Sequence, residues 1–217
     1  MNIAVFGTGN VGTTIGTRLV GLGHQVMMGS RTADNEKARA WVAQTGAGAS
    51  QGTYAEAAAF GELVFICTRG DGTLPALEGA AAHLGDKILI DISNPLDLSQ
   101  GFPPSLFVSN TDSLGEQIQR AFPAARVVKT LNTMWCGIMV QPRMLPEAHV
   151  VFLSGNDADA KAIVADLLRS FGWQDEEILD LGDISTARGT ESLLPVWLRI
   201  YMATQSGAFN FKIVKAN

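Results

Sequence analysis

The 217 residues carry 47% hydrophobic and 17% charged side chains, the balance of a globular α/β protein with enough chain for one well-buried core. A net charge of −5 without any Lys/Arg cluster argues against nucleic acid or an anionic membrane as partner, since both demand a basic face. Cys67 and Cys136 are too few and too far apart for a disulfide framework or a metal motif, and no run approaches the roughly 18 apolar residues of a membrane helix, so a soluble cytoplasmic protein with reduced thiols and no metal is expected.

Ile3 to Phe6 is an apolar run short enough for a buried parallel strand, and Gly7, Gly9 and Gly12 follow at once with the spacing G-x-G-x-x-G. In a dinucleotide-binding turn the first glycine makes the sharp strand-to-helix bend. The second lets backbone N–H groups approach a pyrophosphate, and the third lets the helix sit close on the sheet. Thr8, Asn10 and Val11 fill the turn, and the helix behind it carries Gly16, Leu19, Val20 and Leu22 at core spacing. The helix N-terminus brings partial positive charge and unpaired N–H groups to the diphosphate. The bland alternative is a surface glycine loop.

Gln25 to Met28 is a second short strand ending at Gly29-Ser30-Arg31. Asp34 to Gln44 reads as a helix with Asp34 or Thr32 as N-cap and Gly46 as its stop, and Tyr54 to Phe60 as a short helix. Leu63 to Cys67 is the clearest buried strand. Thr68 to Gly72 reads as loop by composition, Leu74 to Leu84 as helix, Lys87 to Asp91 as strand, and residues 96–110 as irregular. Ser113 to Phe122 is a helix, Arg126 to Thr130 a strand, and residues 132–146 a loop-rich stretch. His149 to Ser154 is a sixth strand, Asp157 to Phe171 a helix closed by Gly172, and Glu177 to Leu181 a last strand. Without internal repeats, this alternation predicts a Rossmann-type, doubly wound, mostly parallel sheet over residues 1–181. A short carboxyl-terminal helical segment, 182–217, has too few residues for a core of its own. Its helix, Arg188 to Gln205 with Pro195 near the start, is more apolar than one face requires, so part of it should cover the cleft or meet a second copy as a homodimer; the alternative is core packing alone.

In such a sheet the ligand lies beyond the carboxyl ends of the strands, so residues 7–12, 29–32, 68–73, 92–96 and 131–138 should line one crevice. An NAD-binding domain usually ends its second strand with Asp or Glu for the ribose 2′-hydroxyl. Here Ser30 and Arg31 stand there instead, with Lys37 about one helical turn farther on, a set suited to a 2′-phosphate; the alternative is a solvated basic turn. Thr68, Arg69, Asn94, Pro95 and Cys136 join these as cofactor-side candidates, and Asn132 and Trp135, in the loop at 131–138, are further crevice candidates, assigned to the acceptor side by the resemblance given below. For Trp135 and Cys136 a nicotinamide-wall role competes with ordinary packing.

Gly-Thr-Gly-Asn-Val-Gly at 7–12, Gly-Ser-Arg at 29–31 and Leu-Asp-Leu-Gly-Asp-Ile-Ser-Thr-Ala-Arg-Gly-Thr-Glu-Ser-Leu-Leu-Pro at 179–195 resemble the NADPH-dependent coenzyme F420 reductase family. The resemblance implies hydride transfer between NADPH and a deazaflavin bound in a cleft beside a small carboxyl-terminal helical part, with Arg188 and Ser192 near the deazaflavin. Two positions depart: the family's histidine after the fifth strand is Asn132, and its threonine before the proline is Leu194. The oxidoreductase domain of membrane ferric reductases looks similar, which extends the acceptors to flavins and metal chelates.

Transfer between two stacked rings needs no strong protein acid, whereas reduction of a ketone or imine usually recruits a positioned Lys, His or Tyr. None stands out, and the catalytic residue stays open. His24, His83 and His149 read as structural, Cys67 as a core thiol, and Lys129 as a crevice lysine that can pair with a carboxylate. The expected function is an NADPH-dependent reductase of a flavin-like or deazaflavin acceptor. The alternatives are reduction of a small carbonyl or imine, and an NADP(H)-sensing protein without catalysis.

Overall fold

The computed structural model describes residues 1–216. In chain order it runs β1 (Asn2–Phe6), α1 (Asn10–Gly21), β2 (Gln25–Ser30), α2 (Glu36–Thr45), β3 (Ala49–Thr53), α3 (Tyr54–Phe60), β4 (Leu63–Ile66), α4 (Gly70–Glu78) and β5 (Ile88–Asp91). Then come β6 (Leu96–Asp97), β7 (Ser105–Leu106), α5 (Leu114–Ala121), β8 (Arg126–Thr130), α6 (Cys136–Val140), β9 (Val151–Gly155), α7 (Ala158–Phe171), β10 (Ile178–Asp180) and α8 (Ala187–Thr204). Eight strands form one sheet in the order β10-β9-β8-β5-β4-β1-β2-β3, and β6 and β7 form a separate small hairpin.

The central strands carry unbroken apolar runs, Ile3 to Phe6, Leu63 to Ile66 and Ile88 to Ile90, because both faces are covered. Successive residues feed opposite layers. Ile3, Val5, Phe65, Ile90 and Val128 join the core under α1, α2 and α7, while Ala4, Phe6, Val64, Leu89 and Val127 join that under α3, α4 and α5. The sheet is therefore doubly wound, and β1, β2, β3, β4, β5 and β8 are parallel.

β9 pairs antiparallel with β8, and β10 runs with β9, so the last two strands are reversed within a sheet that is mostly parallel, as expected. Several other expectations are corrected. Residues 49–53 form an edge strand on β2. The segment Ala-Ser-Gln-Gly-Thr lacks an apolar run because an edge strand is only half buried. Asn35, not Asp34 or Thr32, caps α2, accepting from Ala38 N at 3.1 Å. The expected loop at 68–72 is already helical from Gly70. A β-carbon there would lie 2.1 Å from the Asn94 carbonyl oxygen, so close packing on the neighbouring loop needs glycine at this position. Residues 96–110 contain the β6–β7 hairpin, and 132–146 contain α6.

The segment after β10 packs back on the sheet. Ile184 and Ala187 join the core beneath α5, and Thr186 Oγ1 meets Ser154 Oγ at 2.7 Å.

Candidate active site

Gly7 holds φ +114°, and a β-carbon on it would stand 2.6 Å from the Cys67 carbonyl oxygen. One on Gly12 would stand 2.0 Å from the Gly7 carbonyl oxygen. Both glycines are required by the packing of α1 on β1 and β4. Gly9 differs: nothing lies within 4 Å of the space its β-carbon would take. It is the N-cap of α1, with no side-chain cap and no acidic residue in the first turn, so the positive helix end is left without an internal anion. Open space over bare N–H groups is what a diphosphate requires.

At the end of β2, Arg31 is exposed and forms no ion pair among the described residues. Ser30 is buried, and its hydroxyl donates to the Thr32 carbonyl at 2.6 Å, so it shapes the turn that presents Arg31. Tyr54, absent from the sequence-derived candidates, lies beside this corner. It packs on Phe6 with ring centroids 4.9 Å apart and planes tilted by 44°, and burial raises its pKa while the Arg31 charge opposes the shift. Only recognition of β3 would have brought it to notice, since Ser30 pairs in register with Thr53. Lys37 is exposed on α2 and lines, with Thr8, Gly9 and Asn10, a groove of about 860 Å³ along α1.

Deeper in the crevice the ends of β4, β5 and β8 converge. Thr68 Oγ1 and Thr73 Oγ1 are 2.8 Å apart, and Gly70 abuts Asn94 and Pro95. Arg69 turns outward to Asp71 at 2.8 Å and borders a second groove of about 810 Å³ with Leu96, Phe107 and Leu114. Asn94 and Asn132 bond reciprocally: Asn94 Nδ2 donates to the Asn132 carbonyl and Asn132 Nδ2 to Asn94 Oδ1, both at 2.9 Å. Leu131, between β8 and Asn132, holds φ +60°, a left-handed conformation that costs a branched side chain energy and here sets the loop's direction. Asn132 Oδ1 and Thr130 Oγ1 are buried without a partner. Cys67 lies under the glycine turn, and burial, aided by the Asp91 charge, pushes its thiol pKa up, so it stays protonated.

Lys129 is fully buried. Its ammonium donates to Asp91 Oδ2 at 2.8 Å and the Ser93 carbonyl at 2.6 Å, and it meets Glu191 Oε1 at 2.7 Å. Burial alone would lower its pKa, but Asp91 and Glu191 outweigh that and raise it, so Lys129 remains charged. Asp91 Oδ1 also accepts from the Ser93 N–H and hydroxyl at 2.9 and 2.6 Å, tying the network to the loop that carries Asn94.

Arg188 projects from the first turn of α8 to Glu116 on α5. Its Nε donates to Oε2 at 2.8 Å and its Nη2 to Oε1 at 2.5 Å. These bonds hold the Glu116 carboxyl below its ordinary range against the opposing effect of burial. Ser192 is exposed on the same helix. Trp135 is 40% exposed and precedes α6, and Cys136 opens that helix against α1. His149 is buried edge-on against Trp173, ring centroids 4.8 Å apart, with Nε2 3.0 Å from the Pro142 carbonyl. His24 has its pKa lowered by burial and the amino-terminal charge, and His83 lies exposed in a single helical turn before β5.

The glycine turn, the bare end of α1 and the free Arg31 fit a dinucleotide with a 2′-phosphate. When bound, NADP(H) supplies the hydride and its electronics; the chain binds it, orients it and walls it from water. Fold and site together define a Rossmann-type, NADP-dependent oxidoreductase.

Comparisons with known proteins agree. Residues 2–95 match the family model "NADP oxidoreductase coenzyme F420-dependent". A crystal structure from Arthrobacter sp. FB24, described as a candidate F420-dependent NADP-reductase, is 50% identical, covers 99% of this chain and 100% of its own, and superposes with a TM-score of 0.94. Metalloreductase STEAP3 of Rattus norvegicus is 30% identical over 202 residues, 90% of this chain but 37% of that relative, so the chain spans little more than a third of its length. An imine reductase from Streptomyces aurantiacus shares the fold, with 20% identity and a TM-score of 0.67 over 94% of this chain and 64% of that one. The chain belongs to the coenzyme F420-dependent NADP oxidoreductase family. No helix among the described residues is long and apolar enough to cross a membrane.

Proposed function

We propose that this chain transfers a hydride between NADP(H) and a flavin-like or deazaflavin acceptor of the F420 type, in the cytoplasm. One observation carries the acceptor class: the ionisable side chains buried behind the loops that follow β5 and β8, Lys129, Asp91 and Glu191, are bound to one another. A ketone or imine needs a positioned proton donor as hydride arrives, and a lysine fixed between two carboxylates is a poor one. Transfer onto a stacked ring system makes no such demand. The whole-length similarity to the Arthrobacter protein supports the same reading.

Within it, Asn132, Trp135, Arg188 and Ser192 face the acceptor. Arg188, with its side chain 40% exposed beside Glu116, presents a cation to an anionic acceptor tail. Val196, Tyr201 and Met202, exposed on α8, are the surface through which two copies would pair, a point for sedimentation to settle. The deciding experiment follows NADPH oxidation by the purified chain with F420, with FMN, with a panel of ketones and imines, and with no acceptor. Acceleration by F420 or FMN is expected. Turnover of the imine or ketone panel alone would replace this reading with carbonyl or imine reduction, and tight NADPH binding without turnover would leave a sensor.

A further inference from the structure

After α8 the chain turns back over the carboxyl edge of the sheet, and a short stretch of it is held at several points. The Val150 N–H donates to the Phe211 carbonyl at 3.0 Å, and Asn210 Nδ2 donates to the Val150 carbonyl at 2.9 Å. The second hydrogen of that amide meets His149 Nδ1 at 2.7 Å. Because the other ring nitrogen of His149 faces the Pro142 carbonyl and must donate to it, Nδ1 is the acceptor, and Asn210 completes the buried imidazole's bonding. Phe209 stacks on Trp197 of α8, with centroids 5.3 Å apart and planes 22° from parallel. These contacts place Gly207 against Trp135. A β-carbon on Gly207 would stand 3.1 Å from the indole Cγ, and one on Gly137 would stand 2.4 Å from Cζ3, in collision with the benzo ring.

Trp135 is thus held by two glycines, one at the start of α6 and one in the returning segment, while 40% of it stays open. It belongs to the loop after β8, where the crevice lies. We propose that residues 207–211 form a strap, latched by Asn210 on His149, that fixes Trp135 as a stacking wall of the acceptor cleft and so selects flat ring systems. The inference rests on the ring-to-ring reading above and adds the element that sets its specificity. An aromatic already immobilised loses little freedom when a second ring lies against it, so removing the strap should weaken the acceptor and spare the nucleotide, whose turn is on the other side of β4.

The test uses the full chain with Asn210→Ala, which removes both latch bonds, and Gly207→Val, which pushes on the indole. Affinity for F420 is measured with NADP⁺ bound, alongside NADPH affinity, thermal midpoint and steady-state kinetics. Both variants are expected to raise the F420 Kd and KM about five- to twentyfold, with kcat at saturation and NADPH affinity within twofold of wild type. Trp135→Phe should retain most of the F420 affinity that Trp135→Ala loses. F420 affinity unchanged in Asn210→Ala and Gly207→Val overturns the strap, and so does a parallel loss of F420 and NADPH, which would mark the contacts as general scaffolding. A wild-type chain that reduces neither F420 nor FMN fails the parent reading and takes the strap with it. Active wild type with indifferent variants fails the strap alone.

Discussion

Lys129 on β8 and Glu191 on α8 meet at 2.7 Å with neither side chain more than 2% exposed. The Glu191 carboxylate also accepts the N–H groups of Leu114 at 2.9 Å and Gly115 at 3.0 Å, so one buried group joins the sheet, the start of α5 and α8. Removing Glu191 leaves Lys129 with Asp91 as its remaining carboxylate and strips the buried Leu114 and Gly115 N–H groups of their acceptor; the lost ion pair and the two unsatisfied donors together cost about 3–5 kcal/mol. Glu191→Ala is expected to lose that much stability in urea unfolding. A loss below about 1 kcal/mol would mean that α8 is held by its apolar contacts and not by this ion pair.

The two kinds of glycine in the nucleotide turn should separate folding from binding. Gly12→Ala drives a methyl group to 2.0 Å from the Gly7 carbonyl, so a chain with a depressed melting temperature and no NADPH binding is expected. Gly9→Ala meets open space at φ −84°, which any residue adopts, and should melt like wild type while binding NADPH at least tenfold more weakly. Undiminished affinity in Gly9→Ala would move the diphosphate away from this turn.

We propose that Arg31 sets the preference between NADPH and NADH. A charge-assisted bond to a 2′-phosphate is worth about 1.5–3 kcal/mol, so Arg31→Ala should weaken NADPH roughly ten- to a hundredfold and leave NADH nearly unchanged. Equal losses for both nucleotides, measured by titration, would remove the residue from the phosphate site.

Acid stability has a local source in Asp112. Bidentate bonds from Arg120, at 2.9 and 2.7 Å, hold its pKa at about 2 against an ordinary 3.8. A depressed carboxyl pKa stabilises the fold above the unfolded value, and that contribution disappears as pH falls from about 4 through 2. The pair is partly solvated, so the contribution should stay near or below about 1 kcal/mol. Asp112→Asn should flatten the stability profile in that window and leave it parallel to wild type above pH 5; an identical acid limb in the variant would exclude Asp112 as its source.

What the sequence made legible follows from where information is local. β1, β4 and β5 announce themselves as apolar runs because both faces are covered, and α7 carries both its signals, Asp157 accepting from Ala160 N at 2.7 Å and Gly172 at φ +110°. β3 has no such signature, because an edge strand with a half-solvated face needs none. The reversal of β9 was illegible, since Val-Phe-Leu-Ser-Gly is a fully buried segment with no directional signal and only its partner's register reveals the sense. At the site, the glycine turn was fully readable, but partnerships across the chain were not. Lys129 was recognised as able to pair with a carboxylate, yet its double pairing with Asp91 and Glu191 appears only when β5, β8 and α8 come together. Arg188, expected near the acceptor, reaches Glu116 on α5, a partner that no local pattern announces.

The capped start of α5 limits how many nucleotides the chain can seat. A doubly wound sheet has two halves, and in each a helix N-terminus at the carboxyl edge is a potential cradle for phosphate. In the first half that cradle is α1, bare and open. In the second it is α5, whose N–H groups already hold the Glu191 carboxylate, with Glu116 in the same turn, while the reversed β9 starts α7 at the far edge. The protein's own carboxylate occupies the second seat. NADPH should therefore saturate at one equivalent per chain, and whatever accepts the hydride must be gripped by rings and side chains rather than by a second diphosphate-binding helix.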